Sequence, residues 1–123
     1  MKDLIAEIGQ KNVGFLLDSW HWYTAGETVA DLKTLTNNDV VSVDLNDAPA
    51  GLSLDQQKDS SRELPLATGV IDLAGFLNAL NAFGCDAPVR CEPFNAPLRA
   101  MPPEQALKTT IDAMRKAFAL IRS

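Results

Sequence analysis

The chain has 123 residues and a formal net charge of −5, and 46% of its residues are hydrophobic while 22% are charged. This length and composition predict a single globular domain over residues 1–123 and exclude a disordered chain. An acidic chain lacks the clustered lysines and arginines that displace counterions from phosphates, so we expect no nucleic-acid partner.

The sequence indicates neither export nor membrane insertion. Its longest apolar runs are about a quarter of the roughly 20 residues that a spanning helix requires, and acids stand where a signal peptide has its apolar region. The two cysteines, Cys85 and Cys91, are too few for a disulfide framework and lack the spacing of a zinc site. We therefore expect a cytoplasmic protein with reduced thiols and no membrane partner.

The first half of the chain predicts a short helix and then two strands. Apolar residues closed by Gly9 indicate the helix, and the apolar run Val13–Leu17 is typical of a strand buried on both faces. Residues Val29–Leu35 have helical spacing, and a second strand follows at Val40–Leu45. The next segment, Asp47–Ile71, is long and has little periodicity, as functional loops often do.

The second half predicts a helix, a short strand and a last helix. Asp72 is a candidate N-cap for a helix that ends at Gly84, the third strand is Val89–Cys91, and Pro103 lies in the first turn of the last helix. The last helix has apolar residues at steps of four and three, which predict one core-facing side. These residues are Leu107, Ile111, Met114, Phe118 and Ile121.

This order of elements predicts an α/β fold: three βα units with parallel strands, preceded by a short helix. A closed eight-stranded barrel of such units takes about 250 residues, so the chain corresponds to a partial, or half, TIM barrel. An open sheet leaves unpaired backbone groups at two edges. We therefore expect either a homo-oligomer or a complementary half-barrel chain that pairs with these edges.

Acidic residues lie at the ends of all three predicted strands: Asp18 after the first, Asp44 and Asp47 at the second, and Glu92 after the third. Because the carboxyl ends of parallel strands meet on one face, we expect these side chains to converge. Two unit charges about 5 Å apart repel by roughly 3 kcal/mol at an effective dielectric near 20. The cluster therefore needs protons, basic partners or a cation, and a hard divalent ion is the simplest of these.

The only histidine, His21, lies between Trp20 and Trp22 and three residues after Asp18. It is either a surface or core residue or a functional one, and its place beside a strand-end acid favours a function. The tryptophans either pack the lip of the sheet or form an apolar wall against a substrate's carbon skeleton.

Four short motifs follow one another along the chain. They are Val13–Trp22 (VGFLLDSWHW), Val43–Pro49 (VDLNDAP), Arg62 with the Pro65–Asp72 segment, and Glu92-Pro93-Phe94. Together they resemble the C-terminal half of the xylose isomerase-like TIM barrel family, and the resemblance covers nearly the whole chain. That family includes sugar phosphate isomerases and epimerases, inosose-processing enzymes and DNA-repair endonucleases.

The resemblance implies a divalent metal ion, which is manganese, magnesium, cobalt or zinc in this family. It also implies that Asp18, Asp44 and Glu92 are metal ligands. The third of these would serve in addition as one of two acid/base carboxylates. A single histidine and an acidic chain make the multi-metal DNA-repair chemistry a poor match.

The resemblance further implies a small-molecule substrate, a sugar or sugar phosphate. Glu92 and His21 would be catalytic, and His21, Arg62, Trp20 and Trp22 would contact the substrate. The reaction would be an isomerisation or epimerisation by proton transfer alpha to a carbonyl through an enediolate. Each of two residues also has a structural alternative to a functional role. Arg62 would then be a solvated residue of a polar loop, and Asp47 would only stabilise a turn.

The chain departs from the family pattern in three ways. Asp44 stands where the family usually has histidine or glutamine, and the loop Pro65–Gly69 lacks one glycine of the usual Pro-Gly-x-Gly. The family's second catalytic glutamate comes from the N-terminal half. We therefore expect activity only when another chain completes the barrel, and the alternative is a non-catalytic half-barrel that oligomerises and keeps the acids as relics.

Overall fold

A computed structural model describes residues 1–122 of the chain. Strands β1 (Phe15–Asp18), β2 (Val40–Asp44) and β3 (Val89–Arg90) form an open parallel sheet in the order β1-β2-β3. The predicted α/β class with three parallel strands is confirmed. Because the sheet is open, β1 and β3 are its two edges.

Residues 1–122 contain six α-helices, and the predicted short helix in front of the first strand is confirmed. It ends at Gly9, whose φ of 67° is the left-handed conformation typical of a helix C-terminus. The helices are α1 (Lys2–Ile8), α2 (Ser19–Thr24), α3 (Val29–Leu32), α4 (Leu73–Ala82), α5 (Ala96–Arg99) and α6 (Pro103–Phe118). Within residues 1–122, no helix has the length and apolar character needed to cross a bilayer.

Helices α2 and α5 were not predicted, and the helical spacing over 29–35 gives only the single turn α3. Short helices of this kind depend on capping. The Asp18 carboxylate accepts a hydrogen bond from the Trp20 backbone N–H at the start of α2, and the Asn95 side chain does the same for Leu98 in α5. Local side-chain acceptors of this type satisfy helix N–H groups that have no backbone partner.

The core lies on one face of the sheet. Leu17, Val43 and Val89 occupy neighbouring register positions on the three strands and pack with helix α4, whose Phe76 is fully buried. Adjacent residues of a strand point to opposite faces of the sheet. The neighbours of these residues, such as Leu16 and Ser42, therefore lie on the other face, which is open. On that open face the side chain of Leu16 is 54% exposed.

The prediction that the whole apolar side of α6 faces the core is wrong for three of its five residues. Leu107, Ile111 and Phe118 are exposed, whereas Met114 and Ile121 pack against the core. The physical reason is that α6 packs against α4 mainly towards its C-terminal end, so the rest of the stripe is left uncovered. An apolar side of this size is typical of a surface that packs against further structure.

Helix α4 begins at a side-chain cap, as predicted. The carboxylate of Asp72 accepts a hydrogen bond of 2.9 Å from the Gly75 backbone N–H. A Cβ atom at Gly75 would lie 2.3 Å from that carboxylate and 2.9 Å from Val29 of α3. Glycine at this position therefore allows the cap and the close approach of α3 and α4 at once.

We expect Asp72→Ala to lower the free energy of unfolding by about 1 kcal/mol, because one N–H of the first turn loses its acceptor. Asp72→Asn is the matched control and should be nearly neutral, since an amide oxygen caps equally well. Urea denaturation followed by circular dichroism measures both variants. Equal losses in the two would show that the negative charge, rather than the cap, stabilises α4.

Candidate metal centre

Three carboxylates converge at the C-terminal edge of the sheet. Asp18 ends β1, Asp44 ends β2 beside it in the register, and Glu92 follows β3. One oxygen of each lies within 4.8 Å of the other two. Asp18 and Asp44 are buried, whereas the side chain of Glu92 is 41% exposed. The structure therefore brings together the three residues that the sequence singles out as metal ligands.

Two arginines compensate this negative charge. The Arg62 guanidinium donates to Asp18 Oδ2 at 2.7 Å and lies 3.6 Å from Glu92 Oε2. Arg90, at the end of β3, donates through Nε and Nη2 to the two oxygens of Asp44 at 2.5 and 3.3 Å. Basic partners were one of the three predicted ways to hold the acids together, but the sequence analysis did not identify Arg90 as such a partner. It could have been identified, because Arg90 lies in the third strand two positions before Glu92.

Arg62 is buried, which decides against a solvated position. Its side chain is 3% exposed and lies between the rings of Trp20 and Phe94, at 4.9 and 5.1 Å from their centroids. Such stacking on aromatic faces suits a guanidinium. Asp59 accepts hydrogen bonds from it through both its backbone carbonyl and its carboxylate. Arg62 is therefore fixed in orientation against Asp18.

His21 lies at the exposed rim of this cluster, with its side chain 59% exposed. Its Nε2 atom is 3.2 Å from Nη2 of Arg62 and 3.4 Å from Oδ1 of Asp59, and its ring meets Trp20 edge to face. Sequence reasoning missed Asp59, which lies in the aperiodic loop. The histidine is thus linked to the buried carboxylates through Arg62 and remains open to a ligand.

Both tryptophans are buried, which supports the interpretation that they pack the lip of the sheet. Trp22 packs on Phe76 with ring centroids 5.3 Å apart, and its Nε1–H donates to the Thr28 carbonyl. Trp20 lies beneath Arg62. A groove of about 410 Å³ between α1 and α3 is lined by Trp22 together with Asp18 and His21, so a ligand in this groove would reach the edge of the cluster.

Asn46 ties the three strand ends together. Its side-chain Oδ1 accepts a hydrogen bond of 2.9 Å from the Glu92 backbone N–H, and its Nδ2 lies 3.5 Å from Asp18 Oδ1. Its backbone N–H donates to the Ser19 hydroxyl, and that hydroxyl donates to the Asn46 carbonyl. The residue is fully buried. Sequence reasoning missed this role, because an asparagine at the end of a strand usually signals only a turn.

Asp47, which the sequence also places at this rim, does not join the cluster. Its carboxylate is fully buried and accepts backbone N–H groups of four residues, namely Ala48, Thr68, Gly69 and Ile71. The structural alternative is therefore the correct one, since Asp47 folds the long loop back on the sheet.

In the same loop Leu66 has a φ of 66°, the only positive value at a non-glycine residue within 1–122.

Cys91 lies in the chain between Arg90, which ends β3, and Glu92. Burial raises the pKa of its thiol to about 12, and the charges of Asp44 and Asp18 add to this effect. The thiolate is the form that attacks electrophiles. Burial of Cys91 therefore suppresses its reactivity as a nucleophile near neutral pH.

In a Cys85→Ser variant, we expect alkylation of Cys91 by iodoacetamide at pH 8 to be at least about 100-fold slower than in the same protein unfolded in urea, because the thiolate is suppressed. Mass spectrometry of the modified chain gives both rates. Cys91→Ser, which leaves Cys85, is the control for reagent quality. Equal rates in folded and unfolded protein would contradict the buried position.

The three carboxylates suit a hard divalent cation. Such ions hold oxygen ligands at about 2.0–2.6 Å, so opposed ligands are about 4–5 Å apart. The oxygens of Asp18, Asp44 and Glu92 fall within this range, at no more than 4.8 Å from one another. The donor set therefore fits a divalent ion such as magnesium, manganese or zinc.

Comparison with known proteins shows the family of this chain. The sequence profile of the xylose isomerase-like TIM barrel family matches residues 1–117. The chain belongs to this family. The candidate site lies at the carboxyl ends of parallel strands, which is the end where TIM-barrel enzymes in general have their active sites.

The curated relatives are longer than this chain. An inosose isomerase of Bacillus subtilis (strain 168) is 29% identical over 125 residues, which are 96% of this chain and 43% of the relative. A 3-dehydroshikimate dehydratase of Pseudomonas aeruginosa is 32% identical over 120 residues, with 96% of this chain and 18% of the relative covered. The chain thus spans less than half the length of these relatives.

Solved structures give the same result for the fold. A xylose isomerase domain protein from Alicyclobacillus acidocaldarius matches with a TM-score of 0.83 and 37% identity, over 97% of this chain and 42% of its own. The IolI protein, in a crystal structure with a bound zinc atom, matches with a TM-score of 0.89 and 24% identity, over 98% and 43%. The described sheet and helices are therefore half of a TIM barrel, as predicted.

Proposed function

We propose that this chain is the C-terminal part of a divalent-metal-dependent sugar or sugar phosphate isomerase or epimerase. The observation that carries the proposal is the convergence of Asp18, Asp44 and Glu92 within 4.8 Å at the end of the sheet. Membership of a family whose relatives include inosose isomerases supports the substrate class. The IolI protein, which has this fold and a bound zinc atom, supports a divalent metal.

In this proposal Asp18, Asp44 and Glu92 hold the ion. A divalent ion bound there would polarise a substrate carbonyl oxygen and so acidify the neighbouring C–H. Asp18 is oriented by Arg62, and the backbone N–H of Glu92 is fixed by Asn46. Such outer partners orient metal ligands in proteins generally.

Glu92 is the proposed acid/base group, because it is the most exposed of the three carboxylates. It would take the proton alpha to the carbonyl, giving an enediolate, and return it to the neighbouring carbon. His21 at the open rim would hydrogen-bond a substrate oxygen and share in the proton transfer. Arg62 would stabilise negative charge from beneath, Trp22 would limit the groove, and Trp20 would hold Arg62 in place.

The second acid/base carboxylate must come from outside residues 1–122. An epimerisation inverts one carbon, so a base removes the proton from one face of the substrate and an acid delivers a proton to the opposite face. The open face with Leu16 and the exposed apolar residues of α6 support a further covering unit, which is a complementary half-barrel or a second copy of the chain. A stable interface of this kind buries more than about 1,000 Å².

A non-catalytic half-barrel that oligomerises is the second candidate function. One observation favours it: Arg62 and Arg90 already compensate Asp18 and Asp44, so the carboxylates are stable together without an ion. In this case the sheet edges and the apolar side of α6 would be the functional surfaces. The cluster would then be structural.

Metal binding and proton exchange separate the two candidates. With manganese present and any completing chain co-purified, we expect an inosose or a ketose to exchange its alpha hydrogen with deuterated solvent, as followed by NMR. Glu92→Gln should slow this exchange by at least about 100-fold, whereas Glu104→Gln on exposed α6 should leave it unchanged.

Calorimetry with manganese and light scattering complete this test. Absence of both manganese binding and exchange, in a sample of uniform oligomeric size, would contradict the enzyme and support the oligomerisation module. Exchange that persists in Glu92→Gln would leave the reaction class intact and remove the role given to this carboxylate.

A further inference from the structure

The Arg90 guanidinium is bound to Asp44, which is one of the three proposed metal ligands. Both oxygens of Asp44 accept hydrogen bonds from this guanidinium, at 2.5 and 3.3 Å. Asp44 is 2% exposed, whereas the side chain of Arg90 is 59% exposed. The pair therefore joins a fixed carboxylate to a cation that has free space on its solvent side.

Arg90 is held far more loosely than Arg62. Arg62 is 3% exposed, stacks on two aromatic rings and bonds Asp18 and Asp59 at the same time. Among residues 1–122 the Arg90 guanidinium has hydrogen bonds to Asp44 alone. Of the two arginines, only Arg90 is free to leave without breaking a buried network.

The charge of the cluster gives a reason for it to leave. Asp18, Asp44 and Glu92 carry three negative charges, and the fixed Arg62 is shared between Asp18, Asp59 and Glu92. A divalent ion on Asp44 would lie at short range from an Arg90 guanidinium that stayed on the same two oxygens, and the two positive charges repel each other. An arginine stays protonated at any accessible pH, so it can relieve this repulsion only by moving.

We propose that Arg90 is an internal cation that occupies Asp44 until a divalent ion binds and is displaced when it does. The ion and the guanidinium compete for the same two carboxylate oxygens. Arg90 thereby keeps the buried carboxylate compensated in the metal-free protein and sets how tightly the ion is held. This inference rests on the metal centre of the proposed function.

Calorimetry with manganese chloride on the purified full chain tests the competition. We expect Arg90→Gln to bind the ion about tenfold more tightly than the parent chain, which corresponds to about 1.4 kcal/mol. Arg115→Gln, which removes an exposed positive charge from α6, is the matched control and should leave the affinity unchanged. An unchanged or weaker affinity in Arg90→Gln overturns the inference.

A measurement on the unmutated protein covers the case in which Arg90→Gln does not fold. The NMR signal of the Arg90 Nε–H should be protected from solvent exchange by Asp44 and should lose that protection when magnesium saturates the site. Retained protection in the magnesium-bound protein overturns the displacement.

These results separate the inference from the metal centre itself. Equal manganese affinity of the parent and of Arg90→Gln overturns the role of Arg90 and leaves the metal centre standing. If Arg90→Gln binds manganese and the parent chain does not, the competition by Arg90 is strong enough to exclude the ion, which supports the inference. Absence of binding by both overturns the metal centre and the inference that depends on it.

Discussion

The repulsion among three carboxylates is the constraint on which the rest of this site depends. Parallel strands deliver Asp18, Asp44 and Glu92 to one edge, within 4.8 Å of one another. At an effective dielectric near 20, each such pair repels by roughly 3 kcal/mol. The fold offsets this cost with one buried and one exposed arginine, and these two groups differ in how easily an incoming cation can replace them.

Backbone N–H groups and a few buried polar side chains hold the edge in shape. Asn46 joins all three strand ends, and Asp47 draws the long loop onto the sheet through four backbone N–H groups. That loop carries Asp59 and Arg62, so the same buried aspartate indirectly positions the guanidinium beside Asp18. The candidate site is thus built by neighbours that themselves take no part in chemistry.

The open face of the sheet has the opposite character. Leu16 on this face is 54% exposed, and Leu107 on α6 is 61% exposed. Apolar groups left in water at sheet and helix surfaces favour association, because burying them releases about 25 cal/mol per Å². The matched relative and solved structure are more than twice as long as this chain.

The sequence determined the strands, the order of the main helices and the three acids, because periodicity, caps and strand ends are local signals. Helix α2, the burial of Arg62, the pairing of Arg90 with Asp44 and the position of Asp47 were decided by tertiary structure. Each depends on which distant backbone groups or side chains come within hydrogen-bonding reach. The exposure of one side of α6 was also decided by tertiary structure, since helical spacing shows which residues share a side of a helix but not whether anything covers that side.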